Sequence, residues 1–219
     1  MASEILNIAA FTTAAALAAT ALMLVPGVAI AWVLARRSFP GKSLVETVVS
    51  LPLVMPPVAT GLLLLWLFSR RGPIGGFLER IGIEIVFTPA AVVVAMAVMG
   101  LPLLVRTARA GFEQVTRRYE HIAETLGAGP WRVFSTVTLP LARRNILAGA
   151  MLGFSRALGE FGATIVVAGS IPGRTRTLAV GIYTFTETGQ DYQAAILLAI
   201  SLSIAFVVVL ASNRIATEK

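Results

Sequence analysis

The sequence predicts an all-α integral membrane protein, a bundle of five transmembrane helices with a cytoplasmic helix–turn–helix loop. Three observations carry that prediction. Of the 219 residues, 57% are hydrophobic and only 13% are charged, whereas a soluble domain runs near a quarter charged. The mean hydropathy is +0.83, more apolar surface than a soluble fold of this size can hide. Finally, five separate stretches approach the roughly 20 apolar residues needed to cross a bilayer. The same numbers exclude a water-soluble enzyme and a disordered chain, because disorder needs low hydrophobicity.

The spans are expected at Leu6–Leu34, Val48–Phe68, Pro89–Val105, Ile146–Ala168 and Ala194–Ala211. The first is too long for a cleaved signal peptide, whose apolar core is about 7–15 residues, so it reads as an uncleaved span. Leu178–Phe185 is apolar but too short to cross, and is expected to dip into the membrane or lie at its surface. Residues 1–219 read as one domain, with a long loop at about 117–140.

Basic residues set the orientation. The loop after the first span carries Arg36, Arg37 and Lys42; the long loop carries Arg106, Arg109, Arg117, Arg118, Arg132, Arg143 and Arg144; the tail carries Arg214 and Lys219. The other side holds Arg70, Arg71, Arg80, Arg174 and Arg176, giving 12 against 5. Positive charge accumulates in the cytoplasm, so the C-terminus is expected inside and the N-terminus outside. The net charge of +7 is explained by this bias and does not imply nucleic acid.

The spans contain backbone breakers. Pro26-Gly27 lies in the first, Pro52, Pro56, Pro57 and Gly61 in the second, and Gly100 and Pro102 in the third. Proline removes a donor and clashes with the preceding turn. Such breaks survive in a membrane when neighbouring helices or a wet cavity satisfy the freed groups, which favours a transporter-like bundle over simple anchors. Gly149 and Gly153 form a GxxxG pair beside a small row of Ser155, Gly159 and Ala163. These small residues are expected to place the fourth span at the bundle centre. Arg156 and Glu160 lie four apart in the same span, hence on one helix face. A charge at that depth costs on the order of 2.5–3.5 kcal/mol, so the two are expected to pair. Two roles stay open: a group on a substrate path, or a structural pair fixing helix register.

Several chemistries are excluded. Cysteine is absent and His121 is the single histidine, which removes thiol catalysis and zinc clusters. Gly41-Lys42-Ser43 resembles the end of a P-loop, but Arg36 stands where the first glycine belongs, and no strand precedes it.

The long loop carries the most informative pattern. Tyr119, Ile122, Ala123 and Leu126 recur at i, i+3, i+4 and i+7, the stripe of an amphipathic helix. Gly127 suits its C-terminus. Pro130 suits the first position of a second short helix, which Leu139-Pro140 is expected to end. Outside lipid, the apolar stripe must pack either on the bundle or on a soluble partner.

This loop resembles the EAA loop of bacterial ABC importer permeases. Aligned on Gly127, Ala123 matches the second Ala and Leu139-Pro140 match the closing Leu-Pro. Val137 replaces Ile; His121 and Ile122 replace the opening Glu-Ala, and Glu120 lies one residue early. Phe39–Ser43, Leu51–Pro57, Thr125–Gly129, Arg156–Thr164 and Ile171–Thr177 are together similar to the permease subunit of molybdate importers. Tungstate and sulfate/thiosulfate permeases share parts of these segments. The resemblance covers about Phe39 to Tyr183.

It implies a transport subunit of the bacterial cytoplasmic membrane, without catalytic residues, metal or cofactor of its own. The implied partners are a second copy of the chain, two ATP-binding cassette subunits that use ATP and Mg, and an extracytoplasmic molybdate-binding protein. Ala123, Leu126, Gly127 and Pro130 would couple to the ATPase, while Arg156, Glu160, Pro52 and Pro56 are the candidate bundle or pathway groups. A self-powered secondary transporter or a membrane scaffold are the alternatives from other classes; no internal repeat of the kind common in the former is evident.

Overall fold

The computed structural model describes residues Ala2–Thr217; Lys219, counted above among the tail charges, lies outside the described residues. The chain is helical, with no strand among the described residues. Helix α1 (Ala2–Arg36) runs unbroken for 35 residues. It is followed by α2 (Lys42–Val54), α3 (Pro57–Phe68), a short α4 (Gly75–Arg80) and α5 (Pro89–Gln114). Next come α6 (Arg117–Thr125), α7 (Pro130–Val133), a π-helical turn (Phe134–Thr138), α8 (Leu139–Leu158), α9 (Gly162–Ala168), α10 (Leu178–Glu187) and α11 (Asp191–Thr217).

Helix α5 is the centre of the bundle, packed chiefly on α8 and α1. Small residues set the spacing. A Cβ on Gly100 of α5 would lie 2.8 Å from the Gly153 carbonyl oxygen of α8, and one on Gly149 would lie 3.1 Å from that of Leu104. The GxxxG pair brings α8 close against α5, but the centre is the third span and not the fourth as expected, because α5 carries a small residue of its own, Gly100, at the crossing and packs on α1 as well. Met23 of α1 closes the same contact, its Cε 2.3 Å from where a Gly153 Cβ would stand. Around it lies one core of Ala16, Ala19, Leu34, Val92, Met96, Met99, Leu104 and Phe112, all essentially dry.

Three helices, α1, α5 and α11, are long and apolar enough to cross a membrane singly; counting each of two bent pairs as one span gives five. Two of the five spans are bent. The second span does not run from Val48 to Phe68 as one helix: α2 begins at Lys42, and the axis turns by 116° before α3. Met55 is extended there, at φ −68° and ψ 144°, as a residue preceding proline must be. Pro56 and Pro57 supply no N–H across the break. The fourth span is also split: the helix through α8 stops at Gly159 and α9 leaves at 62°. Ser155, Gly159 and Ala163 therefore do not form one continuous row.

Other prolines behave differently. Pro26 and Pro102 stay inside unbroken helices, so the expected interruptions of the first and third spans are absent. The sequence around them keeps a strong helical packing partner: Leu104 fills the space a Gly27 side chain would take. Nor does Leu139-Pro140 end the second loop helix, which continues from Pro130 to Leu158. The reason is the π turn. The Leu139 N–H bonds back five residues to the Phe134 carbonyl. That wider turn takes up the room the Pro140 ring needs and tolerates its missing donor.

The loops sort to two ends. Arg36, Val115, Glu120 and Thr138 meet at one end. Glu4 meets Arg176 at the other, where Thr12 also receives the Leu178 N–H. Helix α10, the short apolar stretch, packs there against α11 and α1, with Leu178, Val180, Gly181 and Phe185 buried.

Candidate functional site: the loop helices and the broken-helix pair

The loop at 117–140 folds as two short helices meeting at a sharp turn. Gly127 has φ +85°. Its N–H bonds to the Glu124 carbonyl at 2.9 Å, and the Ala128 N–H to the Ala123 carbonyl at 3.0 Å. This pair of bonds is the Schellman motif, which calls for a left-handed residue where Gly127 stands. Gly129 then precedes α7 and Pro130 opens it, where its missing N–H and fixed φ cost nothing.

The apolar stripe faces away from the bundle. Leu126 is 83% exposed and Trp131 77%; Tyr119 and Ile122 are also exposed, and Ala123 is half-buried. Of the two partners open to the stripe, the bundle of this chain is not the one it uses. The opposite face of α6 is polar and points inward. Glu120 contacts Arg36 at 2.9 Å and accepts the Thr138 hydroxyl at 2.6 Å. Phe134, in the π turn, sits between Trp32 of α1 (ring centroids 5.4 Å apart, edge-on), Phe112 of α5 and Trp131. His121 is solvent-exposed and lies 3.2 Å from Glu124.

Arg36, Glu120 and Thr138 were not singled out by sequence. Arg36 reads there as one more positive charge, and Glu120 as a displaced letter of the EAA pattern. The available signal was position: Glu120 falls on the face of α6 away from Tyr119, Ile122 and Leu126.

The second candidate group lies where the two broken helices meet. Arg156 and Glu160 form the expected ion pair at 2.7 Å, although Glu160 lies past the end of α8 and not on its face. Glu160 is 1% exposed and Arg156 26%. The guanidinium N–H groups are not aimed squarely at Oε2, so this is an ion pair without a well-formed hydrogen bond. Glu160 Oε1 instead accepts the Ala163 N–H at 2.7 Å, satisfying one of the free donors at the start of α9.

Helix α3 packs tightly on α9. A Cβ on Gly162 would lie 2.7 Å from Pro57, and one on Gly61 would lie 2.8 Å from the Ala163 Cα. The break after Met55 is thus stacked on the break after Leu158. Pro56 immediately precedes α3. Pro52 lies inside α2 without ending it.

At the end of the bundle opposite α6, a cavity of about 660 Å³ is lined by Arg70, Arg71, Glu79, Glu84 and Arg174 together with apolar residues. Arg70, at 2.6 Å from Glu84 and 3.5 Å from Glu79, is thereby held charged; the Glu84 hydrogen bond raises its already high pKa. Among the described residues, no group of three or more His, Cys, Asp or Glu side chains could hold a metal ion.

The chain is 47% identical over 192 residues to the molybdenum transport system permease protein ModB of Escherichia coli (strain K12), covering 87% of this chain and 84% of that protein. It is 44% identical to ModB of Haemophilus influenzae over 84% of this chain and 81% of that one. Its fold is similar to that of a chain in the MetNI methionine ABC transporter, solved in inward-facing conformations. That likeness has a TM-score of 0.67 and covers 98% of this chain and 94% of the other; at 15% identity it is one of fold alone. Residues 27–217 match the family of binding-protein-dependent transport system inner membrane components. With its multiple apolar spans, its bent helix pairs and a relative 47% identical over 192 aligned residues, this chain belongs to that family.

Proposed function

We propose that this chain is the membrane-spanning permease subunit of an ABC importer that carries molybdate into the cytoplasm. The observation that carries the reading is the 47% identity to a molybdenum transport permease across 84% of that protein's length. Two copies line a central pathway. ATP hydrolysis, with Mg, takes place in two separate ATP-binding subunits, and a binding protein outside the membrane delivers the oxyanion. The chain itself contributes no catalytic group.

The exposed stripe on α6 and α7 is the ATPase dock. Tyr119, Ile122, Leu126 and Trp131 face outward, and covering a Leu-sized side chain contributes about 1.5–3 kcal/mol. Ala123 permits close approach, while Gly127 and Pro130 fix the turn between the two docking helices. The basic bias then places α6 in the cytoplasm, with the N-terminus and the Arg70–Glu84 loop outside. The stacked helix breaks beside Arg156 and Glu160 are the pathway group: a helix interrupted at depth is tolerated where it is buried or lines a cavity.

The test is uptake. Proteoliposomes containing the chain, its ATPase subunit and its binding protein should accumulate labelled molybdate only with internal ATP. A deletion strain should lose a molybdenum-enzyme activity at low external molybdate and regain it when molybdate is abundant. Normal molybdate uptake with lost sulfate uptake would move the substrate to sulfate. Uptake driven by an ion gradient without ATP would overturn the importer class.

A further inference from the structure

We propose that Arg36 is a positioning residue that clamps the docking helix α6 to the end of α1, so that movement of the ATPase-facing loop is passed along α1 to the far end of the bundle. The inference deepens the reading of α6 and α7 as the ATPase dock and rests on it.

The clamp is compact. Arg36 Nη2 lies 2.9 Å from Glu120 Oε1 and donates to the Val115 carbonyl at 2.9 Å. The same Glu120 oxygen accepts from Thr138 at 2.6 Å. The side chains of Arg36 and Glu120 are 10% and 15% exposed. One guanidinium and one carboxylate thus join the last residue of α1, the α5–α6 junction, α6 itself and the π turn. Trp32, one turn earlier on α1, holds Phe134 of the same loop. A second, longer tie runs alongside it, Arg117 Nη2 donating to the Arg36 carbonyl at 3.5 Å; beyond these contacts α6 has no fully buried residue, and Tyr119 and Ile122 point outward.

The clamp sits at one end of a long rod. Helix α1 is continuous for 35 residues, roughly 52 Å at 1.5 Å per residue. Near its other end the Thr12 hydroxyl accepts the Leu178 N–H of α10 at 2.8 Å, and Glu4 lies 3.4 Å from Arg176. One helix therefore touches the docking loop and the opposite face of the molecule.

An ion pair suits this task better than an apolar contact. Buried pairs add little net stability over apolar replacements of similar volume, while breaking one side is costly. A guanidinium that meets a carboxylate and also donates to the Val115 carbonyl holds one direction and one register.

The experiment compares Arg36→Gln, Glu120→Gln and the double variant, each assembled with ATPase subunit and binding protein in proteoliposomes. Gln at 120 keeps an acceptor for Thr138, so the loop can still fold. Co-purified ATPase subunit, stimulated ATP hydrolysis and molybdate taken up per ATP are measured on the same samples. Each single variant should retain its ATPase subunit yet lose about tenfold in uptake per ATP, within the reach of substitutions on a coupling network. The double variant should be no worse than either single. A second readout needs neither substrate nor partner. A nitroxide at His121→Cys, in a chain with no other cysteine, should become more mobile when Arg36→Gln is added. Wild-type uptake per ATP in the variants, uptake that falls only in proportion to lost ATPase subunit, or a label whose motion does not change would overturn the clamp. Absence of molybdate uptake in the wild-type complex would instead count against the substrate, and the label would still test the clamp.

Discussion

Replacing Glu160 by Ala removes two interactions at once, and the structure separates their sizes. The carboxylate is 1% exposed; Oε2 lies 2.7 Å from Arg156 and Oε1 accepts the Ala163 N–H at 2.7 Å. Breaking a buried pair from one side costs about 3–5 kcal/mol. Arg156 keeps 26% exposure, so its stranded charge is partly solvated and the loss falls near the lower end, about 3 kcal/mol. Losing an acceptor at a helix start costs about 1 kcal/mol more. Glu160→Ala should therefore destabilise the bundle by about 4 kcal/mol. Glu160→Gln keeps an acceptor for Ala163 and should cost about 1 kcal/mol less than the Ala variant. Arg156→Ala with Glu160→Ala strands no charge and should be milder than Glu160→Ala alone. The assay is the unfolding free energy of the purified chain in mixed detergent–SDS micelles, taken around a double-mutant cycle. An interaction energy within about 0.5 kcal/mol of zero, the scatter of independent sites, would refute the pairing.

Close approach of α5 and α8 gives a second expectation. Gly100→Ala places a Cβ 2.8 Å from a backbone carbonyl, whereas a Cβ on Gly159 meets nothing nearer than 4.0 Å; in the same unfolding assay Gly100→Ala should lose about 1–3 kcal/mol and Gly159→Ala should be nearly silent. Gly127→Asp should still insert in the membrane, because nothing lies within 4 Å of a Cβ there, but it should abolish transport and binding-protein-stimulated ATP hydrolysis. Gly127→Asn, which takes the left-handed backbone about as readily as Asp but adds no charge to the contact, should retain more of both, and a Gly127→Asp variant that docks, hydrolyses and transports normally would remove the docking role. Alkaline phosphatase fused after Gly75 should be active and after Thr125 inactive; the reverse pattern would invert the orientation.

Much of this protein is legible in the chain itself, and the reason is that lipid leaves few choices. Composition fixes the class, because apolar surface on this scale needs a bilayer. The lengths of the apolar stretches mark up to five spans, because a helix satisfies its own backbone in lipid; three are single helices and two are bent pairs. Local chemistry also reads directly: Gly127 stands where the Schellman turn needs it, and Pro130 opens the next helix. Tertiary structure decided what depends on neighbours. Pro26 and Pro102 look as disruptive in sequence as Pro56 and Pro57, yet only the Pro56-Pro57 pair breaks its span. A lone proline inside a packed helix loses one bond. Two in succession remove consecutive donors and force the preceding residue, Met55, to be extended. The outward turn of Tyr119, Ile122, Leu126 and Trp131 was equally beyond periodicity, which shows that a face is apolar and not what it faces. The same holds for Arg36 and Glu120. They lie 84 positions apart in the sequence, and no local pattern marks one as the other's partner. Only the packing of α1 beside the loop brings the guanidinium and the carboxylate to 2.9 Å.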